Sequence, residues 1–286
     1  MSIKMLCEPA LARQFFNIMG SIVDEFRLHI SKDGWKVAAV DPANVALINI
    51  DLPKDNFKIY EVGDLGWTSS IDGHPTGVPV EDIKVGIDID TIKQFFCGMY
   101  EAEIVLDEEL HAPVEFIFSK SDKGNNRYEL QLKQGMFSRT ILLLSESDIR
   151  RPPKKLTFYL DYKLQLKTLE LQRIAKKAAK VNDYIRLGFK REEGSVIFTA
   201  STVDGNDLPW DATKQLHGWQ SLRDEARISS SSLFSLEYLC DIVEKIPSET
   251  VWLHLGHDNP CILSFIIGQT GAVEYKIAPR IQDDLR

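Results

Sequence analysis

The sequence predicts an α+β fold built from two topologically similar domains. Three observations carry that prediction. Apolar residues recur at helical spacing in four separate segments. The stretches between them alternate apolar and polar residues, as half-buried strands do. The order helix, strand set, helix, strand set then occurs once in each half of the chain, and duplication of this kind implies pseudo-symmetric units.

The first helix is expected over residues 9–22, with Leu11, Phe15, Ile18, Met19 and Ile22 on one stripe and Pro9 in the first turn, where a missing N–H costs nothing. The second starts near Asp90 as N-cap and turns Ile92, Phe95, Phe96 and Met99 inward. The third covers residues 169–181, with Leu171, Ile174, Ala175 and Ala178 as its buried stripe. The fourth is capped by Ser235 and buries Leu236, Leu239, Ile242 and Val243. Strand alternation is clear in Phe26-Leu28-Ile30, Val114-Phe116-Phe118, Tyr128-Leu130-Leu132, Ile185-Leu187-Phe189 and Leu263-Phe265-Ile267. Turns such as Asp33-Gly34 and Lys123-Gly124-Asn125-Asn126 separate strands, and the strand pairs after the second and fourth helices are expected to break at Glu108-Glu109 and Asp258-Asn259.

At 286 residues and 44% apolar composition, the chain is long enough for two domains that each bury a core. The charged, serine-containing and Pro-Pro segment around Arg151-Pro152-Pro153 reads as an exposed connector. The expected domains are residues 1–144 and 161–286, joined by a connector at 145–160. A loop over 63–82, rich in Gly, Ser and Pro, reads as a surface excursion within the first domain. No stretch approaches the roughly 18 uninterrupted apolar residues of a membrane span, and the start lacks the plan of a signal peptide. The chain is therefore expected to stay in the compartment where it is made and to have no membrane partner. Cys7, Cys97, Cys240 and Cys261 lack the close spacing of a zinc or redox pair and read as reduced thiols.

The net charge of −8 argues against nucleic acid, because affinity for DNA comes largely from Lys and Arg meeting phosphates. The distribution reverses this. Arg173, Lys176, Lys177 and Lys180 follow one another at i, i+3, i+4 and i+7, so the third helix carries four cations opposite its apolar stripe. No acidic residue of that helix shares the face. The other helices offer Arg13, Lys93 and Lys245, with Glu237, Asp241 and Glu244 beside the last. Such a surface touches phosphates and reads no bases.

Catalytic patterns are missing. There is no phosphate loop, nucleophile elbow or paired histidine motif. Asp88 and Asp90 could hold a metal, but Asp90 is better explained as a helix cap; His254 and His257 read as surface positions. No catalytic residue, metal or cofactor is expected.

The C-terminal run Leu263-Ser264-Phe265-Ile266-Ile267-Gly268, then Gly271-Ala272-Val273-Glu274-Tyr275-Lys276-Ile277-Ala278-Pro279-Arg280-Ile281, resembles the closing strands of the proliferating-cell-nuclear-antigen type of sliding clamp. Asp41-Pro42-Ala43-Asn44-Val45-Ala46-Leu47 looks like the family's first-domain hairpin, and Ser235-Leu236-Glu237-Tyr238-Leu239 with Leu255-Gly256-His257-Asp258-Asn259-Pro260 its last helix and following hairpin. The resemblance spans nearly the whole chain and looks closer to archaeal members.

The resemblance implies the DNA clamp fold, with helices lining the inner face of a trimeric ring and antiparallel sheets outside. It carries over phosphate contacts for Arg173, Lys176 and Lys180, to which the charge pattern adds Arg13, Lys93, Lys177 and Lys245, although Gly20 and Glu244 stand where related clamps usually have lysine. A groove for partners' short peptide motifs would involve Val40, Asn44, Val45, Leu47, Leu156, Phe158, Pro260, Lys276, Ile277, Ala278 and Pro279. Subunits would join through Arg139, Ile141 and Leu143 on one edge and Asp211, Thr213 and Gln215 on the other. The implied partners are duplex DNA, DNA polymerase, clamp loader, flap endonuclease, ligase and further copies of the chain. The implied location is the cytoplasm with the nucleoid, or the nucleus for a eukaryotic source. The alternatives are a subunit of a heterotrimeric or specialised clamp and, from another class, a metal-dependent nucleic-acid enzyme.

Overall fold

The computed structural model describes residues 2–62, 82–101, 107–121, 127–153, 157–200, 210–216 and 218–280. The chain parts into two compact units. One comprises Met1–Ala39, Asn49–Arg151 and Ile266–Ala272; the other comprises Val40–Ile48, Pro152–Phe265 and Val273–Arg286.

The first run of elements is β1 (Ser2–Cys7), α1 (Pro9–Met19), β2 (Glu25–Ser31), β3 (Gly34–Val40), β4 (Ala46–Pro53), a single 3-10 turn at Lys54–Asn56, β5 (Ile59–Glu61), β6 (Asp82–Asp88), α2 (Ile89–Glu101), α3 (Asp107–His111), β7 (Val114–Lys120), β8 (Tyr128–Gln134) and β9 (Phe137–Leu142). The second is β10 (Tyr162–Lys167), α4 (Thr168–Ala178), β11 (Tyr184–Lys190), β12 (Ser195–Ala200), β13 (Trp210–Gln215), β14 (Trp219–Ser221), β15 (Ser229–Ser235), α5 (Leu236–Glu244), β16 (Thr250–Leu255), β17 (Cys261–Ile267) and β18 (Gly271–Ile277).

The strand orders repeat. In the first run they are β5-β1-β7-β8-β9 and β6-β2-β3-β4; in the second, β14-β10-β16-β17-β18 and β15-β11-β12-β13. β1 pairs antiparallel with β5 and β7, and β10 does the same with β14 and β16. β2 lies between β3 and β6 as β11 lies between β12 and β15. The faint repeat in the sequence is thus a full repeat of topology.

Each unit has its own core. In the first, Phe15, Phe16, Phe26, Trp35 and Phe116 are almost fully buried, with edge-on rings such as Phe15 and Trp35 at 5.5 Å and Trp35 and Phe116 at 5.3 Å. In the second, Tyr162, Phe189, Phe198 and Phe234 are buried, as are Leu171, Ala175, Leu239 and Ile242 of the two helices. The expected apolar stripes of the first, second and fourth helices are buried wherever their side chains are described; Ile174 of the third is half-buried.

Several boundaries differ from expectation. α1 stops at Met19, because the Ser21 hydroxyl donates to the Ile18 carbonyl at 2.7 Å and competes with the helical ladder. Ile22 is still buried, but in the following turn. α4 ends at Ala178 and not near residue 181. α2 begins one residue before Asp90, and the capping carboxylate belongs to Asp88, whose Oδ1 accepts the Thr91 amide at 2.7 Å. Ser235 occupies the N-cap of α5 without a side-chain bond; the Leu236 amide donates instead to the Asp183 carbonyl. Glu108 and Glu109 do not break a hairpin but lie in α3, where Glu109 accepts the Met136 amide at 2.7 Å. The connector does not begin as an open segment: Ser145–Asp148 form a turn, Ile149 is buried, and Arg27 donates to the Ile149 carbonyl at 3.1 Å. The 63–82 loop up to its last residue, the 123–126 turn, and the side chains of Cys97 and Met99 lie outside the described residues.

Gly34 closes the β2–β3 turn with φ of 143°, and a Cβ there would stand 2.2 Å from the Leu52 carbonyl oxygen. Gly34→Ala is expected to lower stability by on the order of 2 kcal/mol in urea unfolding. Gly188→Ala, where the added Cβ meets only ordinary contacts at 3.5 Å, should be close to neutral.

Candidate functional site

Three surfaces collect the residues singled out above. The first is the exposed side of α4. Burial of Leu171, Ala175 and Ala178 leaves Arg173, Lys176 and Lys177 exposed on the opposite side, and Lys180 follows them in the turn after the helix. The face is less purely cationic than the helix alone implies. α5 lies against α4, with Gln172 donating to the Val243 carbonyl at 2.8 Å, and it brings Glu244 within 3.3 Å of Lys176. The other Glu244 oxygen is 3.7 Å from Lys245, the residue that ends α5. The expectation of a stripe without acidic partners therefore fails at Lys176, because the partner comes from another helix. Lys176 and Lys245 hold the Glu244 carboxyl below the ordinary range, whereas Asp241 is raised by burial and by the neighbouring Glu237 and Glu244.

In the first unit, Arg13 is half-buried on α1 and Lys93 half-buried on α2. The Lys93 ammonium lies over Gly20, where an added Cβ would stand 2.3 Å from Nζ. Glycine at that position makes room for the lysine of the neighbouring helix.

The second surface surrounds the Asp41–Ala46 loop. Val40, Leu47 and Ile277 are buried and support it from below, so they offer little surface of their own. Val45, Phe158, Pro260, Lys276, Ala278 and Pro279 are half-buried and Asn44 is exposed; Leu156 lies outside the described residues. The Ala278 amide donates to the Val45 carbonyl at 2.8 Å, which joins the tail to the loop. The Tyr159 amide donates to Asn259 Oδ1 at 3.1 Å, which joins the Phe158 segment to the turn before Pro260. Both parts hang on β15: the Asp258 amide donates to the Ser231 carbonyl and the Arg280 amide to the Leu233 carbonyl.

Two residues absent from the sequence-based site hold this loop. The Asp41 carboxylate, 1% exposed, accepts the Ala46 amide at 2.6 Å, the Ala43 amide at 2.9 Å and the Tyr238 hydroxyl at 2.7 Å. Burial and then the bond to Asp41 push the Tyr238 hydroxyl up to about 12, so it remains a donor at neutral pH. Asn44, at φ of 60°, takes a left-handed conformation that asparagine tolerates better than most residues. The Asp-Pro-x-Asn order signals a side-chain-stabilised turn, but nothing nearby in the sequence marks Tyr238 as its partner.

The third surface is a pair of sheet edges. β9 ends one sheet and β13 another. The Leu143 amide bonds to Tyr128 of β8, whereas that of Leu144 turns the other way to Gly86. By alternation, Arg139, Ile141 and Leu143 direct their backbone groups at β8, and Ser138, Thr140 and Leu142 present theirs outward. Ile141 and Leu143 are also buried, and the Arg139 guanidinium reaches the Thr91 carbonyl at 3.4 Å. On β13 the Leu216 amide bonds to Gly194, so Asp211, Thr213 and Gln215 present the open groups.

Asp88 acts as a helix cap, and among the described residues no group of three His, Cys, Asp or Glu side chains could hold a metal ion. His254 is half-buried rather than at the open surface; burial and Lys163 lower its ring to about 4, and it lies 3.0 Å from the Ser264 hydroxyl. His257 is half-buried 3.3 Å from Asp258. No described helix is long and apolar enough to cross a membrane.

No protein-family model matches the chain. Among curated proteins it is 30% identical over 283 residues to a DNA polymerase sliding clamp of Methanococcoides burtonii, covering 98% of this chain and 99% of that one. It is likewise 30% identical over 265 residues to the DNA polymerase sliding clamp of Methanosarcina mazei, covering 92% of each. Among solved structures, A. fulgidus PCNA with the bound C-terminal region of FEN-1 matches at a TM-score of 0.74 and 24% identity, over 99% of this chain and 100% of that one. PCNA of Thermococcus kodakaraensis matches at a TM-score of 0.72 and 19% identity, over 97% and 100%.

Asp41→Ala is expected to cost on the order of 3 kcal/mol in urea unfolding, since one buried and two part-buried donors lose their acceptor. Tyr238→Phe should cost about 1 kcal/mol, because Asp41 keeps its two amides.

Proposed function

The chain belongs to the DNA polymerase sliding clamp family, and on that premise we propose that it closes with two further copies into a ring around duplex DNA. It tethers DNA polymerase there as a processivity factor and performs no covalent chemistry. The observation that carries this reading is the α4 face, where Arg173, Lys177 and Lys180 stand exposed opposite the buried Leu171, Ala175 and Ala178. Long cationic side chains without a base-reading set bind any sequence through phosphates, as sliding requires. Lys176, Lys93, Arg13 and Lys245 add contacts around the same duplex, and the acidic remainder of the chain repels DNA elsewhere.

The copies join where β9 of one adds to β13 of the next. Ser138, Thr140 and Leu142 then meet Asp211, Thr213 and Gln215 through main-chain bonds, which also removes two exposed sheet edges. The surface of Val45, Phe158, Pro260, Lys276, Ala278 and Pro279 around the Asp41–Ala46 loop receives short peptide motifs of polymerase, clamp loader, flap endonuclease and ligase. Half-buried apolar residues on a held loop suit an inserted hydrophobic anchor. Such a protein works where the chromosome is, in the cytoplasm with the nucleoid.

Light scattering of the purified chain should give the mass of three copies; a monomer that also ignores related chains would refute the ring. Thr140→Pro removes an outward N–H and leaves the β8 ladder whole, so it should yield folded monomers. Changing Arg173, Lys176, Lys177 and Lys180 together to Ala should leave the ring assembled. The dependence of log affinity on log salt should flatten by about 0.9 for each phosphate contact removed. Unchanged retention on end-blocked linear DNA would take these residues off the inner face.

A further inference from the structure

The charge arrangement of the two helices of the second unit carries one step more, and it rests on the reading of α4 as the DNA-facing helix. α5 presents Glu237, Asp241 and Glu244 at i, i+4 and i+7, all exposed, beside the cations of α4. Only Glu244 closes on a cation of α4, with Oε1 3.3 Å from Lys176 Nζ, and its second oxygen stands 3.7 Å from Lys245. Both members of the pair are exposed, at 62% for Lys176 and 51% for Glu244. An ion pair this open is weak enough for a phosphate to compete with it.

We propose that Glu244 is a brake on DNA affinity: it holds Lys176 in an ion pair that a phosphate must displace, so the lysine exchanges one anion for another. Arg173 and Lys177 have no carboxylate in salt-bridge range among the described residues, and they bind phosphate at full effect. Glu170, the acidic residue of α4 itself, does not act in this way, because it is held at 2.9 Å by Lys214 of β13. A carboxylate beside the contact also raises the cost of any phosphate that settles there, which keeps each contact short-lived. The grip of the second unit is thereby set by a pair of helices, and α5 subtracts from what α4 supplies.

The test compares Glu244→Gln, Lys177→Ala and Glu192→Gln in the assembled clamp. Binding to a short fluorescent duplex is followed by anisotropy across a salt series, with light scattering to verify assembly. Glu192, exposed in the β11–β12 turn, supplies an equal change of net charge away from α4. Glu244→Gln should tighten binding about two- to five-fold and steepen the salt dependence, as expected for release of one exposed ion pair. Glu192→Gln should do neither, and Lys177→Ala should weaken binding. If Glu244→Gln has no effect while Lys177→Ala weakens binding, the brake is overturned and the DNA-facing reading stands. If Glu192→Gln tightens binding as much as Glu244→Gln, the effect is one of total charge and the brake is again overturned. If Lys177→Ala leaves binding unchanged, α4 does not face DNA and both readings fall.

Discussion

Each of the four longer helices, α1, α2, α4 and α5, survives by burying one stripe of side chains. α1 and α4 are both 11 residues long, near the limit at which an isolated helix forms in water at all, so packing supplies their stability. That constraint decides what the other side of each helix can be. On α4, seating Leu171, Ala175 and Ala178 against the unit's interior fixes the rotation of the helix and forces Arg173, Lys176 and Lys177 outward together. Two of the four buried positions of α4 are alanine, which keeps the helix low. The cation surface is therefore a by-product of packing geometry as much as of charge.

This is why the periodic features were legible in the sequence. Helical and strand periods report burial directly, and the helical stripes and the five marked strands are formed, as in Phe15 and Met19 of α1 or Leu187 and Phe189 of β11. What depends on a neighbour distant in the chain was not legible. The acidic partner of Lys176 lies 68 residues away, and the Tyr238 hydroxyl that completes the Asp41 cluster lies 197 residues away. Caps fell between the two cases. A helix starting two residues early transfers the capping role from Asp90 to Asp88, and residue type alone does not discriminate between two aspartates. Which edge residues of β9 face outward likewise follows from one hydrogen-bond parity that no local pattern encodes.

Net charge was a poor guide for a related reason. A total of −8 describes the field far from the molecule, whereas binding to a polyanion depends on charge within about one screening length of the contact. At that range the second unit offers neighbouring stripes of opposite sign on α4 and α5, and the first offers one cation on each of α1 and α2. On the proposed reading, such a surface is attractive enough to hold DNA and too mixed to seize it.

The Lys93 ammonium of α2 lies over Gly20, the C-cap of α1. The first carbon of a side chain at residue 20 would stand 2.3 Å from the ammonium of residue 93, so the tip of the lysine would have to swing aside. A side chain at residue 20 would therefore redirect the lysine and not exclude it. The direction in which the cation of α2 points is thereby set from the end of α1, by a residue that carries no charge.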